Sequence, residues 1–319
     1  MTRFDVTTLG EAMLRLSVPT GQPLETMTGL TVHLGGAESN VCAALVSLGR
    51  RCSWLSRVPT GPHGRYVLRT LRAAGIDTSA VVLAEQARLG TYYVEFASPP
   101  RATEVIYDRS GSAITGLTVD MVNWDVLLDT RVLHLTGITP ALGPGCFELV
   151  VEAAERAKAR GVTVSFDVNY RSKLWAPEVA AHHLKAILPF TDILICGQGD
   201  AQTVFGLEGS AEDVLAALHK LTPAEHIVLT QSLEGASTLI DDEFVHVPAR
   251  TAKMIDRLGA GDAFAAGVLD GYLEGDVRSG LDKGAVLSAL MLTQHGDMLI
   301  TTPEEVSAAS KRTSKVLNR

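Results

Sequence analysis

Asp256-Arg257-Leu258-Gly259-Ala260-Gly261-Asp262 runs directly into Ala263–Leu269, a stretch of small, helix-compatible residues. The glycines let the backbone approach a ligand, and a helix starting there leaves N–H groups unpaired at the positive end of its dipole. Such a point seats an anion, most obviously a phosphate. A carboxylate among those donors repels a bound phosphate, so Asp262 needs a task of its own. The chemistry it suggests is acceptance of an alcohol proton while the N–H groups of 259–262 hold the phosphoryl group under attack. The plainer alternative is an Asp that caps its own helix.

A second glycine-led segment, Gly35-Gly36-Ala37-Glu38-Ser39-Asn40, also leads into an apolar helical face, Val41, Ala44, Leu45 and Leu48. Paired glycines before a helix admit a bulky polar ligand, and Asn40 can both donate to and accept from a sugar diol. The alternative is a glycine turn with Asn40 as a helix cap. Other phosphate motifs are missing. There is no G-x-x-x-x-G-K-[ST]. Gly197-Gln198-Gly199 and Gly259-Ala260-Gly261 fail as dinucleotide fingerprints, because Gln202 and Phe264 stand where a third small residue belongs.

Positioning these residues requires an α/β frame. Phe4–Leu9 reads as a first strand, with Met13–Ser17 and Thr31–Leu34 as short strands after it. Ser53–Val58 reads as a strand and Gly64–Ala74 as a helix. Thr91–Phe96 and Glu104–Arg109 alternate like paired strands joined through Pro99-Pro100. From Val132 the rhythm becomes strand–helix–strand: Val132–Thr136, helix Phe147–Arg160, Val162–Asp167, helix 178–187, Ile193–Cys196 and Ile227–Thr230. A hairpin around Asp241-Asp242, the glycine-led helix at 260–273 and a final helix near 280–293 close the chain. The expected architecture is one α/β domain over residues 1–319, a three-layer sandwich with a mostly parallel central sheet. A small projecting sheet drawn from about 12–34 and 91–110 would act as a lid over the carboxyl ends of the central strands.

The bulk numbers narrow the function classes. The 319 residues are 46% hydrophobic and 20% charged, as in ordinary globular proteins. A net charge of −8 with scattered acids argues against a nucleic-acid groove. No apolar run reaches the ~18 residues of a membrane span, so neither membrane nor nucleic acid is an expected partner. Four cysteines without a C-x-x-C pair suggest neither a zinc site nor a disulfide framework, and a cytoplasmic location is the simplest expectation. The nine histidines show no metal-binding spacing, and His182-His183 reads as one inward and one solvated residue.

Taken together and in this order, the two glycine-led segments resemble the two signatures of the ribokinase-like (PfkB) carbohydrate kinases, over essentially the whole chain. Within that family the chain is most similar to the 2-keto-3-deoxygluconate kinase group. The likeness is carried by Gly10-Glu11-Ala12-Met13-Leu14-Arg15-Leu16-Ser17, Gly35–Asn40, Arg57–Gly64, Val105-Ile106-Tyr107-Asp108-Arg109 and Phe166–Trp175.

The resemblance implies ATP-dependent phosphorylation of a primary hydroxyl, with Asp262 as base and Gly259, Ala260 and Gly261 as the anion hole. It implies a sugar site of Gly35, Gly36, Asn40, Tyr93 and Tyr107, with Arg109 and Arg171 gripping the carboxylate of a sugar acid. Tyr93 stands beside Tyr92, and alternation turns only one of them inward. For ATP it points to Asn169, Thr230, Ser232, Glu234, Gly235, Gly259 and Gly261, with Ser232 where relatives usually carry glycine. Relatives often carry N-x-x-E after the strand ending at Cys196, where this chain has Gly197-Gln198-Gly199-Asp200. Asp200 is therefore expected to reach Mg²⁺ through water rather than directly. A monovalent cation is a further ion that the resemblance admits. Two other readings stay open: a kinase for fructose, ribose or another keto acid, and a catalytically silent sugar-acid sensor. A homodimer or larger assembly through the lid sheet would hide that sheet's edge.

Overall fold

Short apolar runs bounded by glycine or proline build the centre of the molecule. The computed structural model describes residues 2–97, 100–241 and 243–312. The chain begins with β1 (Phe4–Leu9), β2 (Met13–Ser17), β3 (Thr31–Gly35) and helix α1 (Ala37–Ser47). Then follow β4 (Cys52–Leu55), β5 (Arg57–Pro59), α2 (Pro62–Ala73), β6 (Val82–Ala84), β7 (Thr91–Glu95) and β8 (Glu104–Asp108). The short α3 (Trp124–Leu127) precedes β9 (Thr130–Thr136), α4 (Pro144–Ala159), β10 (Thr163–Asp167) and α5 (Pro177–Leu184). Next come β11 (Ile193–Gly197), α6 (Gln198–Phe205), α7 (Ala211–Leu218), β12 (His226–Thr230), β13 (Ala236–Ile240) and β14 (Glu243–Val247). Helices α8 (Ala260–Glu274), α9 (Val277–Met291) and α10 (Pro303–Arg312) complete it.

Eight strands form one sheet in the order β14-β13-β12-β11-β10-β9-β1-β4. Those from β12 to β4 pair in parallel, and the β13–β14 hairpin adds an antiparallel edge. Successive side chains point to opposite faces, and both faces are covered. Ile193, Ile195 and Val228 join a core with α1, α2, α8 and α9. Their neighbours Leu194, Cys196, Ile227 and Leu229 join a second core with α4 to α7. Burial on both sides explains why these strands read as unbroken apolar runs rather than alternating ones.

The projecting sheet has the order β3-β2-β7-β8. It is mixed, because β2 runs parallel to β7 while β3 and β8 pair antiparallel at its edges. Its inner side carries a small core of Met13, Tyr92, Val94 and Phe96, against which Leu258 packs.

Three sequence expectations need correction. The strand expected over Ser53–Val58 breaks at Ser56, so β4 lies in the large sheet while β5 pairs with β6 apart from it. The helix expected over 178–187 stops at Leu184. The helix expected near 280–293 starts at Val277, and α10 follows it. Pro99 of the lid connection and Asp242 of the hairpin turn lie outside the described residues.

Candidate active site

At Gly259 the chain turns with φ +81°, a left-handed conformation that favours glycine, and a Cβ there would sit 2.1 Å from the backbone oxygen of Asp297. Helix α8 starts at the next residue, and its N-cap, Gly259, offers no side-chain cap. The first-turn N–H groups are therefore left for a ligand. Asp262, 9% exposed, lies in this first turn without capping it. Its Oδ2 instead accepts from Asn40 Nδ2 at 2.7 Å, which joins the two glycine-led segments directly.

Two cavities meet at Asp262. A small one of about 90 Å³ is lined by Gly35, Gly36, Asn40, Tyr92, Arg171 and Asp262 among others. A larger one of about 950 Å³ takes in Asp167, Asn169, Asp200, Thr230, Arg257 and Gly261. Tyr107, Arg109, Arg171, Leu258, Gly259 and Asp262 line both. The larger cavity sits where β10, β11 and β12 end, as parallel α/β sheets dispose their sites.

Asn40 is 3% exposed, and with its amide N–H committed to Asp262 its Oδ1 is buried without a partner. That orphaned acceptor beside Asp262 suits a hydroxyl donor. Gly35 makes room for the lid, since a Cβ there would lie 2.1 Å from Tyr92 Oη.

Burial pushes the Asp262 carboxyl up to about 6, against the opposing pull of the Asn40 hydrogen bond and the Arg171 charge. A carboxylate acts as a base only when ionised, so a role of Asp262 as base requires the rate to be present above that value and lost below it. We expect the rate under subsaturating sugar to fall tenfold per pH unit below about 6. A profile flat down to pH 5 would exclude this carboxylate as the base.

Tyr92, not Tyr93, is the inward tyrosine. Tyr92 is 4% exposed, its ring stacks on Tyr107 at 5.6 Å between centroids, and its hydroxyl donates to Asp297. Tyr93 points to the other face of the lid, into a separate hollow beside Pro59–His63 and Arg88. Tyr92→Ala should cost about tenfold or more in kcat/KM and Tyr93→Ala less than about twofold, which steady-state kinetics of the two variants will check.

The two arginines differ in availability. Arg109 lines both cavities, but its Nε donates to Glu11 Oε2 at 2.8 Å and its Nη2 reaches the same oxygen. Glu11 is 4% exposed and also accepts from Ser112, so a buried carboxylate already occupies the Arg109 fork. Arg171 donates at 3.5 Å to the Tyr170 carbonyl, and no carboxylate among the described residues lies within ion-pair distance of it.

Asn169 lines the larger cavity with φ +40°, and Thr230 lines it too. Ser232, Glu234, Gly235 and Ala260 are not among the lining residues. Ser232 has φ +53°, which accounts for the glycine expected there. A Cβ at Gly235 would meet the Val247 carbonyl at 2.1 Å, so that glycine serves packing. Asp200 faces the cavity, and its Oδ2 accepts from the Tyr170 N–H at 3.2 Å. Arg257 is exposed and on the cavity wall.

Sequence reasoning assigned no role to Asp167. Burial first, then the charges of Asp262 and Asp200, push its carboxyl up to about 8. Its place as the last residue of a parallel strand was the signal available. Glu38 was also passed over; burial pushes it up to about 7 although the Thr136 and Thr139 hydroxyls donate to it. Among the described residues no cluster of three or more His, Cys, Asp or Glu forms a metal cage. The paired acids Asp167 and Asp200 suit a Mg²⁺ ion that keeps its waters and leans on phosphates.

A family model described as pfkB family carbohydrate kinase matches residues 3–304. The chain is 37% identical over 303 residues to the 2-dehydro-3-deoxygalactonokinase of Haloferax volcanii, with 95% of each chain covered. It is 32% identical over 295 residues to the 2-dehydro-3-deoxygluconokinase of Thermoproteus tenax, covering 91% of this chain and 88% of that one. The solved structure of 2-dehydro-3-deoxygluconokinase from Thermotoga maritima is similar to it with a TM-score of 0.90 and 28% identity, over 97% of this chain and 98% of that one.

Proposed function

This chain belongs to the pfkB family of carbohydrate kinases, and from that premise we propose that it phosphorylates 2-keto-3-deoxygluconate on its primary hydroxyl, giving the 6-phosphate. The observation that carries the reading is the meeting of Asp262, the orphaned Oδ1 of Asn40 and the Arg171 guanidinium around one cavity. Arg171 stands in no ion pair, although Asp167, Asp200 and Asp262 all feel its charge, so its fork can donate bidentately to a substrate carboxylate, a contact that a neutral sugar cannot make.

Asp262 takes the proton of the primary hydroxyl, and Asn40 holds the receiving carboxylate in place. The hydroxyl oxygen forms a bond to phosphorus as the bond to the departing ADP breaks. The N–H groups of 259–262 meet the charge that develops on the transferred group. ATP supplies the phosphoryl group, with Mg²⁺ on its phosphates and Asp200 and Asp167 as the carboxylates that would anchor the ion's waters. Tyr92, Tyr107 and Leu258 keep bulk water from the transferred group.

The C4 epimer, 2-keto-3-deoxygalactonate, is a second reading favoured by the 37% identity to the galactonokinase-named relative. We read the catalytic unit as a single domain with its lid drawn from about 12–34 and 91–110, acting in the cytoplasm. Free, buried cysteines at 42, 52, 146 and 196 suit that compartment. Among the described residues no helix is long and apolar enough to cross a membrane. A homodimer through the lid would cover Val32 and Ile106, exposed on its edge strands.

Incubation with ATP, Mg²⁺ and 2-keto-3-deoxygluconate, followed by phosphorus–proton correlation of the product, tests the reaction. A phosphate monoester on C6 is expected. Phosphate on another carbon, or no ester at all, overturns the proposal.

A further inference from the structure

Arg15, in the second strand of the lid, is fully buried among carboxylates. Its Nη1 donates to Asp297 Oδ1 at 2.5 Å, its Nη2 donates to Asp256 Oδ2, and its Nε donates to Ser17 Oγ at 2.9 Å. The Phe96 ring covers the guanidinium at 4.9 Å. Both acids flank the turn that leads into the anion hole. Asp256 begins the glycine-led loop, and its Oδ1 accepts from the Leu258 N–H at 3.0 Å. Asp297 presses its backbone oxygen against Gly259.

The carboxylate oxygens are already filled. Asp256 Oδ2 accepts from the Gly296 N–H at 3.3 Å as well as from Arg15, and Asp297 Oδ2 accepts from Tyr92. A monovalent cation that used those oxygens would sit against a guanidinium of its own sign. The residues present do not fit such an ion.

We propose that Arg15 is the resident cation of the anion hole: bridging Asp256 and Asp297, it sets the path of the backbone into Gly259, and turnover is indifferent to the monovalent salt in solution. Arg15 touches neither cavity, so it is a positioning residue. It also ties lid to loop, because the strand that carries it belongs to the projecting sheet. Without it, two buried carboxylates face each other uncompensated and the loop leading to Gly259 loses its anchor.

The inference rests on the kinase reading but not on which sugar acid is used. The test compares kcat of the wild type in potassium, sodium and tetramethylammonium chloride at equal ionic strength. Values within about twofold are expected, and a rise of about tenfold with potassium overturns the proposal. Arg15→Met should lose ~10²–10³-fold in kcat with the sugar KM changed far less, as for lost anion-hole donors. Added guanidinium or potassium ions should restore part of that loss. An Arg15→Met variant that folds and turns over like wild type overturns the assignment, as does one whose loss no cation restores. If circular dichroism shows Arg15→Met unfolded, Arg15→Lys replaces it. The lysine variant keeps the charge without the bridge, so reduced kcat at native melting temperature supports the role and unchanged kcat rejects it. Should the wild type release no ADP with any acid, the substrate reading has failed on its own. The salt comparison is then made on the affinity for a non-hydrolysable ATP analogue, by calorimetry, where equal affinities support the inference and a potassium-dependent affinity rejects it.

Discussion

Asp262→Asn should lower kcat by ~10²–10⁴-fold, the usual worth of a positioned general base, while the KM values for sugar acid and ATP stay close to those of the wild type. The replacement is nearly isosteric and leaves the backbone donors of 259–262 in place. The neutral amide can turn its oxygen toward Asn40 Nδ2, which now donates to Asp262 at 2.7 Å. What disappears is the proton acceptor. The variant should also melt no lower than the wild type, because Asp262 is buried near Asp167 and Asp297 and its charge works against both. A variant keeping more than about a tenth of the wild-type kcat would remove Asp262 from the mechanism.

Arg171→Leu should raise the KM for a sugar acid strongly and hardly affect a neutral sugar. Truncating one partner of a hydrogen-bonded charge pair costs about 2–5 kcal/mol, and the exposure of Arg171 places it at the lower end, ~30-fold in kcat/KM. Two further effects separate this loss from general damage. Arg171 holds the Asp262 carboxyl down, so its removal should move the acid limb of the pH profile upward. Melting temperature should fall only slightly, since Arg171 is exposed and eases the charges of Asp167, Asp200 and Asp262 without forming an ion pair with any of them. Arg109→Leu should behave in the opposite way, because it strands Glu11, a buried carboxylate, and lowers stability first.

Those two arginines illustrate how much of the site was legible in the sequence. The motif match brought both to the cavity, yet their unequal freedom depends on Glu11, which the chain places 98 residues away from Arg109. The Arg15 bridge was less visible still, spanning 241 and 282 residues to its partners. A buried cation shows in a strand pattern only as a polar residue at an inward position. The choice between Tyr92 and Tyr93 turned on register, because a one-residue shift exchanges the faces of a strand. Tyr92 pairs with Tyr107, and Tyr93 with Ile106, so the β7–β8 register decides which ring faces the cavity beside Asp262.

The parallel strands were read well because burial on both faces makes them continuous apolar runs, as in Ile193–Cys196. The break at Ser56 was missed because the apolar pattern continues through Val58 into a different sheet. Ser232 carried a further signal. Its φ of +53° is a left-handed conformation that glycine adopts freely, which is why glycine is the residue expected there.

The most direct test of the account is a coupled ADP-release assay comparing 2-keto-3-deoxygluconate and its C4 epimer with fructose and ribose. A site with the Arg171 guanidinium on its wall and free to grip a carboxylate should favour the sugar acids by ~10²-fold or more in kcat/KM. Neutral sugars turned over as efficiently as the acids would contradict it.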